Sequence, residues 1–292
     1  MIPAVRTLFI IQIFFVATLV SCYPEPEELI PAYIHIEQID LTTTSGQGTA
    51  SHKITDAWVY IGQKLIGAFE LPATFPILET GLQEITIRPG IKISGISATR
   101  APYPFYSPIV KTVELEAGAT HTLTSLYTAY NDNVNFIWME DFNRGTLSID
   151  TTSNSETRLV RISDANHVFR YGNEVNEHSA MAWLQGDTIL FECASVNSFA
   201  LPKGGAPVFL EMNYKNDFNI TVGLYIVISG QVFQHPVLIL TPTEVWNKIY
   251  INFTPTITEF YNSTDFKVFI GFLKPSDIES ATIYLDHLKL IY

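Results

Sequence analysis

The sequence predicts an all-β protein built as two β-sandwich domains behind an extended N-terminal tether. Three observations carry that prediction. Of 292 residues, 13% are aromatic (19 Phe, 14 Tyr, 4 Trp) and only 16% charged, a balance that favours pleated, half-buried surfaces over helices. Short runs such as "AWVYIG" (57–62), "QEITIR" (83–88), "KTVELEAG" (111–118) and "HTLTSLYTAY" (121–130) mix β-branched and aromatic residues, with Gly or Pro at their ends. Beyond the N-terminal apolar run, no segment keeps helical periodicity for ten residues or more. With 47% hydrophobic residues the chain can bury its own cores without metal or disulfide staples.

Charge excludes one class of partner. The net charge is −12, with no basic cluster along the chain, so the footprint that a phosphate backbone requires is missing and nucleic acid is not an expected ligand.

Residues 1–21 carry the parts of a secretory leader in order: Arg6, then an apolar stretch from Leu8 to Val20 interrupted by Gln12 and Thr18. At about 13 residues the stretch is short for a bilayer span. Leu19-Val20-Ser21-Cys22 resembles the lipobox of bacterial lipoproteins. That resemblance implies cleavage before Cys22, a diacylglycerol on its sulfur with further acyl chains such as palmitate, and a membrane anchor that more than one chain makes durable. The alternative is an ordinary leader, which would leave an odd terminal thiol unused. The other cysteine, Cys193 in "TILFECAS", reads as a small core residue.

Residues 22–32 form the tether. Three prolines and three glutamates within "YPEPEELIPA" favour an extended chain of roughly 3 Å per residue, holding the folded body about 30 Å from the membrane. Acidic residues directly after the cysteine also resemble the export signal of Bacteroidota surface lipoproteins, which implies the bacterial outer membrane with exposure at the cell surface. A plain solvated linker is compatible with the same residues.

Residues 33–130 form the first sandwich. The order of strand, turn at Gly62, Ile66-Gly67 and "G-x-x-x-I-x-I" at Gly81 to Ile87 resembles PEGA-type and carboxypeptidase-regulatory-like β-sandwiches, which implies a spacer or interaction platform. Within it, "GISATRAPYPFYSP" (95–108) cannot be an interior strand, because proline removes ladder donors. Tyr103, Phe105 and Tyr106 are therefore candidate partner contacts on a loop, or else a lid that folds back over one end of the sandwich.

The polar run "NDNVN" (131–135) marks the boundary, and residues 131–292 form the second sandwich, expected to fold alone. Its opening "EDF" and closing "YLDHLKL" resemble the galactose-binding-like jelly roll of many carbohydrate-binding modules. In "ATIYLDHLKLIY", Ile283 and Leu285 share one face while Leu288, Leu290 and Tyr292 share the other. The phase slips at Asp286-His287, as at a β-bulge. The resemblance implies a structural calcium ion held by Glu140, Asp141 and Asp286, with ordinary polar edge residues as the alternative.

No G-x-S-x-G, H-E-x-x-H, P-loop or C-x-x-C occurs, so the chain reads as a non-enzyme. His167, Glu174, Glu177 and His178 crowd into one segment, but Glu177 and His178 are adjacent and point apart in an extended chain, which favours a polar loop over a metal site. The main functional reading is a surface lipoprotein acting as an interaction or structural module, accessory to an outer-membrane assembly. The alternative is glycan binding, with Tyr171, Trp183 and Phe199 stacking on sugar rings. An enzyme with an unrecognised site is a third.

Overall fold

The structure, a computed structural model, describes residues 29–292; the leader, Cys22 and most of the tether lie outside the described residues. Among the described residues no helix is long and apolar enough to cross a membrane.

The first ten strands are β1 (Ala32–Ile36), β2 (Asp40–Thr42), β3 (Asp56–Ile61), β4 (Lys64–Glu70), β5 (Ala73–Ile77), β6 (Gly81–Lys92), β7 (Arg100–Pro102), β8 (Ile109–Leu115), β9 (Thr120–Leu123) and β10 (Tyr127–Ala129). Long β6 serves two partners: its first half pairs with β8 and its end with β7, while β3 and β4 continue the sheet on its other side. The facing sheet is β5-β1-β9, and β10 with β2 forms a short parallel pair. Alternation dictates which side chains turn inward: Ala32, Ile34 and Ile36 of β1 meet Val59, Ile85 and Ile87 in one apolar cluster. Gly90 is a requirement of this sheet, since a Cβ there would sit 2.8 Å from the Trp58 ring.

The remaining strands are β11 (Phe136–Glu140), β12 (Ile149–Thr151), β13 (Val160–Ile162), β14 (Ser179–Gln185), β15 (Leu190–Ser195), β16 (Phe209–Asn216), β17 (Ile220–Ile228), β18 (Gln231–Leu240), β19 (Thr243–Asn252), β20 (Asp265–Leu273) and β21 (Ser280–Ile291), with the short helix α1 (Thr254–Glu259) after β19. They form a six-stranded sheet, β13-β14-β21-β16-β19 with β11 on the end of β21, packed against the five-stranded sheet β12-β15-β20-β17-β18. Their inward side chains make one large core that includes Cys193, Phe191, Phe266, Ile283 and Leu285. The bulge is present: Glu211 pairs with Lys289 and Asn213 with Asp286, so Met212 alone opposes His287 and Leu288, with His287 at φ 44°.

A third apolar cluster joins the two sandwiches. Leu41, Ile91, Tyr103, Phe105, Tyr106 and Tyr130 from the first pack on Phe209, Tyr250 and Ile291 from the outer face of the six-stranded sheet. Tyr103 sits edge-on to Phe209 at 5.3 Å and to Tyr250 at 4.8 Å, within the range of favourable aromatic pairs. Tyr103, Phe105 and Tyr106 are thus buried between the sandwiches, and the expectation of a free partner surface on this loop is corrected. The prolines exclude the loop from an interior strand, and the apolar face of the neighbouring sheet then covers its aromatics. A fragment 131–292 would uncover Phe209, Tyr250 and Ile291.

At the centre of this junction lies a buried polar network. Glu211 accepts hydrogen bonds from Tyr103 Oη at 3.0 Å and Tyr130 Oη at 2.9 Å, and Lys248 Nζ stands 2.8 Å from its Oε2. Lys289 Nζ donates to the Thr49 carbonyl at 2.7 Å. Burial alone would raise the Glu211 pKa, but Lys248 and Lys289 outweigh it and hold the carboxyl below its ordinary range. Lys289 is pushed down to about 7, by burial first and by Lys248 second.

Candidate functional site

The first sandwich covers only part of the outer face of the six-stranded sheet. Alternation settles what the rest of that face presents. On β14, Ala180, Ala182 and Leu184 point into the core, so Met181 and Trp183 point out; on β21, Ile283 and Leu285 point in, so Thr282 and Tyr284 point out. Trp183 lies directly opposite Thr282, and Met181 opposite Tyr284, so the two aromatic side chains are diagonal neighbours on one surface. Trp183 is 40% exposed.

Tyr284 is the centre of an ordered aromatic group. The His167 ring stacks on it, parallel to within 5° at 5.3 Å, and is itself fixed by Asp164 Oδ2 at 3.0 Å from Nδ1. Trp246 meets Tyr284 edge-on at 6.3 Å and Phe169 at 5.3 Å, and Lys215 Nζ stands 5.7 Å from the Tyr284 ring centre. Partial burial first, and the charges of Asp217 and Asp164 next, raise the Tyr284 pKa, so its hydroxyl remains a hydrogen-bond donor at neutral pH.

Beside the ring runs an open groove of about 500 Å³, lined by Tyr284, Thr282, Lys215, Asn216, Asp217 and Glu244 among others. Asn216 is committed on one side only. Its Nδ2 donates to the Phe218 carbonyl at 2.6 Å, which leaves its buried Oδ1 without a partner. Asn216 pairs with Ile283, so its side chain lies on the core side of the sheet, opposite the Tyr284 ring.

A polar group on the opposite sheet shows the contrast. Glu192 Oε1 accepts from Thr152 Oγ1 at 2.7 Å and Tyr225 Oη at 2.5 Å, and Oε2 from Gln234 Nε2 at 2.5 Å. Both oxygens are used, so Glu192 braces the five-stranded sheet.

The other sequence candidates are dispersed. Phe199 is 7% exposed, bridges by backbone to Phe266 and packs beside Trp138 at 5.9 Å; as a core residue it is corrected as a glycan contact. Tyr171 stands edge-on to His52 of the first sandwich at 6.1 Å. Glu174 docks the same segment by accepting from Ala50 N at 2.8 Å and from Thr49 Oγ1. The calcium expectation is corrected as well. Glu140 spends its oxygens on Phe142 N at 2.8 Å and on Ser148 N and Oγ; Asp286 accepts from Asn176 Nδ2 at 2.7 Å, Ser179 Oγ and His287 N; and Asp141 turns to Asn143 N at 3.1 Å. Among the described residues, no group of three or more His, Cys, Asp or Glu side chains could hold a metal ion. Burial pushes the Asp286 carboxyl up to about 7 against its three donors. Tyr284, Trp246 and Lys215 were missed by sequence reasoning, although the inward pair Ile283 and Leu285 already implied that Tyr284 faces outward.

No protein-family model matches the chain, and no curated protein does. Among solved structures the chain is similar to the CBM22-1 xylan-binding domain of Paenibacillus barcinonensis Xyn10C, at 11% identity and a TM-score of 0.37, over 53% of this chain and 93% of that one. It is similar to the family 11 carbohydrate-binding module of Clostridium thermocellum at 15% identity and a TM-score of 0.35, over 52% of this chain and 93% of that one. A third similar structure is a non-crystalline cellulose specific module, CBM28, at 14% identity and a TM-score of 0.35, over 52% of this chain and 92% of that one.

Proposed function

We propose that the chain is a non-catalytic, glycan-binding protein of the bacterial cell envelope, tethered through a lipid on Cys22, that holds sugar rings against Tyr284 and Trp183. The observation that carries this reading is the outward, diagonal pair Tyr284 and Trp183 beside an open groove. A sugar offers an apolar ring face for the aromatic surface and hydroxyls for the polar residues beside it. Lys215 and Glu244 add a donor and an acceptor at the rim. The ring held by His167 and Trp246 is fixed before any ligand arrives, which lowers the ordering cost of binding.

Retention on immobilised polysaccharides tests the reading. Trp183→Ala and Tyr284→Ala each weaken binding by about tenfold, the equivalent of ~1.4 kcal/mol for a lost stacking contact. Because Trp183 is already 40% exposed, its loss leaves the melting temperature nearly unchanged. Phe199→Ala is the control: it costs about 3–5 kcal/mol of stability as a core truncation and leaves the affinity of the folded fraction unaltered. Failure of the wild-type chain to bind any neutral or acidic glycan, or equal binding by Trp183→Ala, rejects the proposal.

A further inference from the structure

A second open cavity lies at the seam of the two sandwiches, about 330 Å³ in volume and lined by Lys53, Lys92, Ser94, Tyr214, Asn247 and Lys248 among others. Three lysines converge there in a chain that has only 17 basic residues against 29 acidic ones. Pairing accounts for two of them. Lys248 is taken by Glu211 at 2.8 Å, and Lys92 by Glu70 at 3.0 Å, a carboxylate that also serves Arg100 at 2.9 Å. Arg100 has Asp56 as its second partner, at 2.5 Å. Lys53 has no carboxylate: its Nζ donates at 2.5 Å to the amide oxygen of Asn247, a neutral acceptor.

Lys53 is therefore an exposed cation beside a second one, Lys92, and has no carboxylate partner of its own. Burial first and the charge of Lys92 second lower its pKa, the direction expected where like charges are held together. A lysine without a carboxylate partner, beside a second lysine, is placed to take an anionic ligand. The rest of the lining suits a polyhydroxy ligand. Asn247 Nδ2 donates to Tyr214 Oη at 3.0 Å, which leaves the phenolic proton of Tyr214 free to donate elsewhere. Ser94, held at φ 52°, and Thr55 bring further hydroxyls to the same cavity.

We propose that this interdomain cleft is a binding site for the carboxylate of an acidic sugar residue, with Lys53 and Lys92 as the charge partners and Tyr214 and Asn247 meeting the ring hydroxyls. The site is separate from the Tyr284 groove and does not depend on it.

Calorimetric titration of the full chain with sodium glucuronate, glucose and sodium sulfate at low ionic strength tests the proposal. Glucuronate binds, and glucose binds at least tenfold more weakly, as expected for loss of a charge-assisted hydrogen bond. Lys53→Gln and Lys92→Gln each weaken glucuronate by about tenfold or more, Trp183→Ala leaves it unchanged, and added salt weakens it in the wild type. Both lysines are on the surface side of the cleft, and unchanged melting temperatures confirm that the variants fold. Equal affinity for glucose and glucuronate, undiminished glucuronate binding by Lys53→Gln, or sulfate binding tighter than glucuronate overturns it. Loss of neutral-glycan binding in Trp183→Ala with glucuronate binding intact separates this site from the groove.

Discussion

Replacing Glu211 by Gln tests how the two sandwiches are held together. The side chain keeps its size and loses its charge, so packing is preserved while Lys248, only 5% exposed, keeps an ammonium with no counter-ion. Removing one partner of a buried ion pair typically costs about 3–5 kcal/mol, because the remaining charge stays desolvated. At about 2 °C per kcal/mol for a chain of this size, the melting temperature falls by roughly 6–10 °C at neutral pH. Thermal unfolding followed by circular dichroism reads the shift. The double variant with Lys248→Met removes the stranded charge and recovers most of the loss. Acid adds a second check. The folded Glu211 carboxyl lies below its ordinary range, so its contribution is complete above an unfolded pKa of about 4.3 and disappears as pH falls through the folded value. The gap between wild type and variant therefore narrows below about pH 4. A shift of less than 2 °C, or a double variant no better than the single one, would refute the claim that this carboxylate anchors the junction.

Two further outcomes follow. Metabolic labelling with a palmitate analogue marks the wild-type chain and not Cys22→Ala; equal labelling of both removes the lipid anchor. His287 is held down at about 3 by burial, then by Lys248 and Lys289, so the unfolded chain binds the extra proton between pH 6.5 and 3 and stability is lost as pH falls through that window. Asp286, raised to about 7, acts in the opposite sense between about 4 and 7, which is why the comparison must be with His287→Asn, a residue that tolerates the left-handed backbone. The stability difference between wild type and His287→Asn changes with pH by up to ~1.4 kcal/mol per unit across that window; parallel curves would show that His287 does not titrate on unfolding.

Much of this architecture is legible because strands advertise themselves locally. Alternation in "AYIHI" and the inward pair Ile283 and Leu285 fix which side chains reach a core, and the slip of apolar phase at Asp286-His287 is the bulge that places two residues of β21 against Met212. What local pattern does not encode is the partner of an outward aromatic. Tyr103 and Trp183 both stand where alternation or proline directs them out of their own sandwich. One meets Phe209 and Tyr250 across the junction, and the other meets solvent; only the docking of the two halves distinguishes them. Phe199 misleads for the converse reason. Most of its neighbours in "SVNSFALPKGG" are polar or turn-forming, yet its backbone bridge to Phe266 draws the ring inward. The carboxylates Glu140 and Asp286 are visible in the sequence, while the backbone and side-chain donors that occupy their oxygens are visible only after folding.

The buried network at the junction has a consequence for both binding surfaces. An apolar interface of the same area would be as stable or more so, but it would tolerate sliding; Glu211 must receive Tyr103 and Tyr130 from the first sandwich at the same time as Lys248 from its own sheet, which permits few orientations. Fixed orientation matters because the cleft and the groove meet along the same strand ends. Tyr214 and Asn247 line the cleft, while their chain neighbours Lys215 and Asn216, and Pro242 and Thr243 beside Thr241, line the groove. A glycan with an acidic residue in the cleft and a neutral residue against Tyr284 would engage both through one short, rigid span, and the second contact would form at the high effective concentration of a tethered ligand. Loosening the junction with Glu211→Gln should then weaken an acidic oligosaccharide more than it weakens glucuronate or a neutral oligosaccharide alone. Equal weakening of all three would mean that the sandwiches hold their two sites independently of the ionic contact between them.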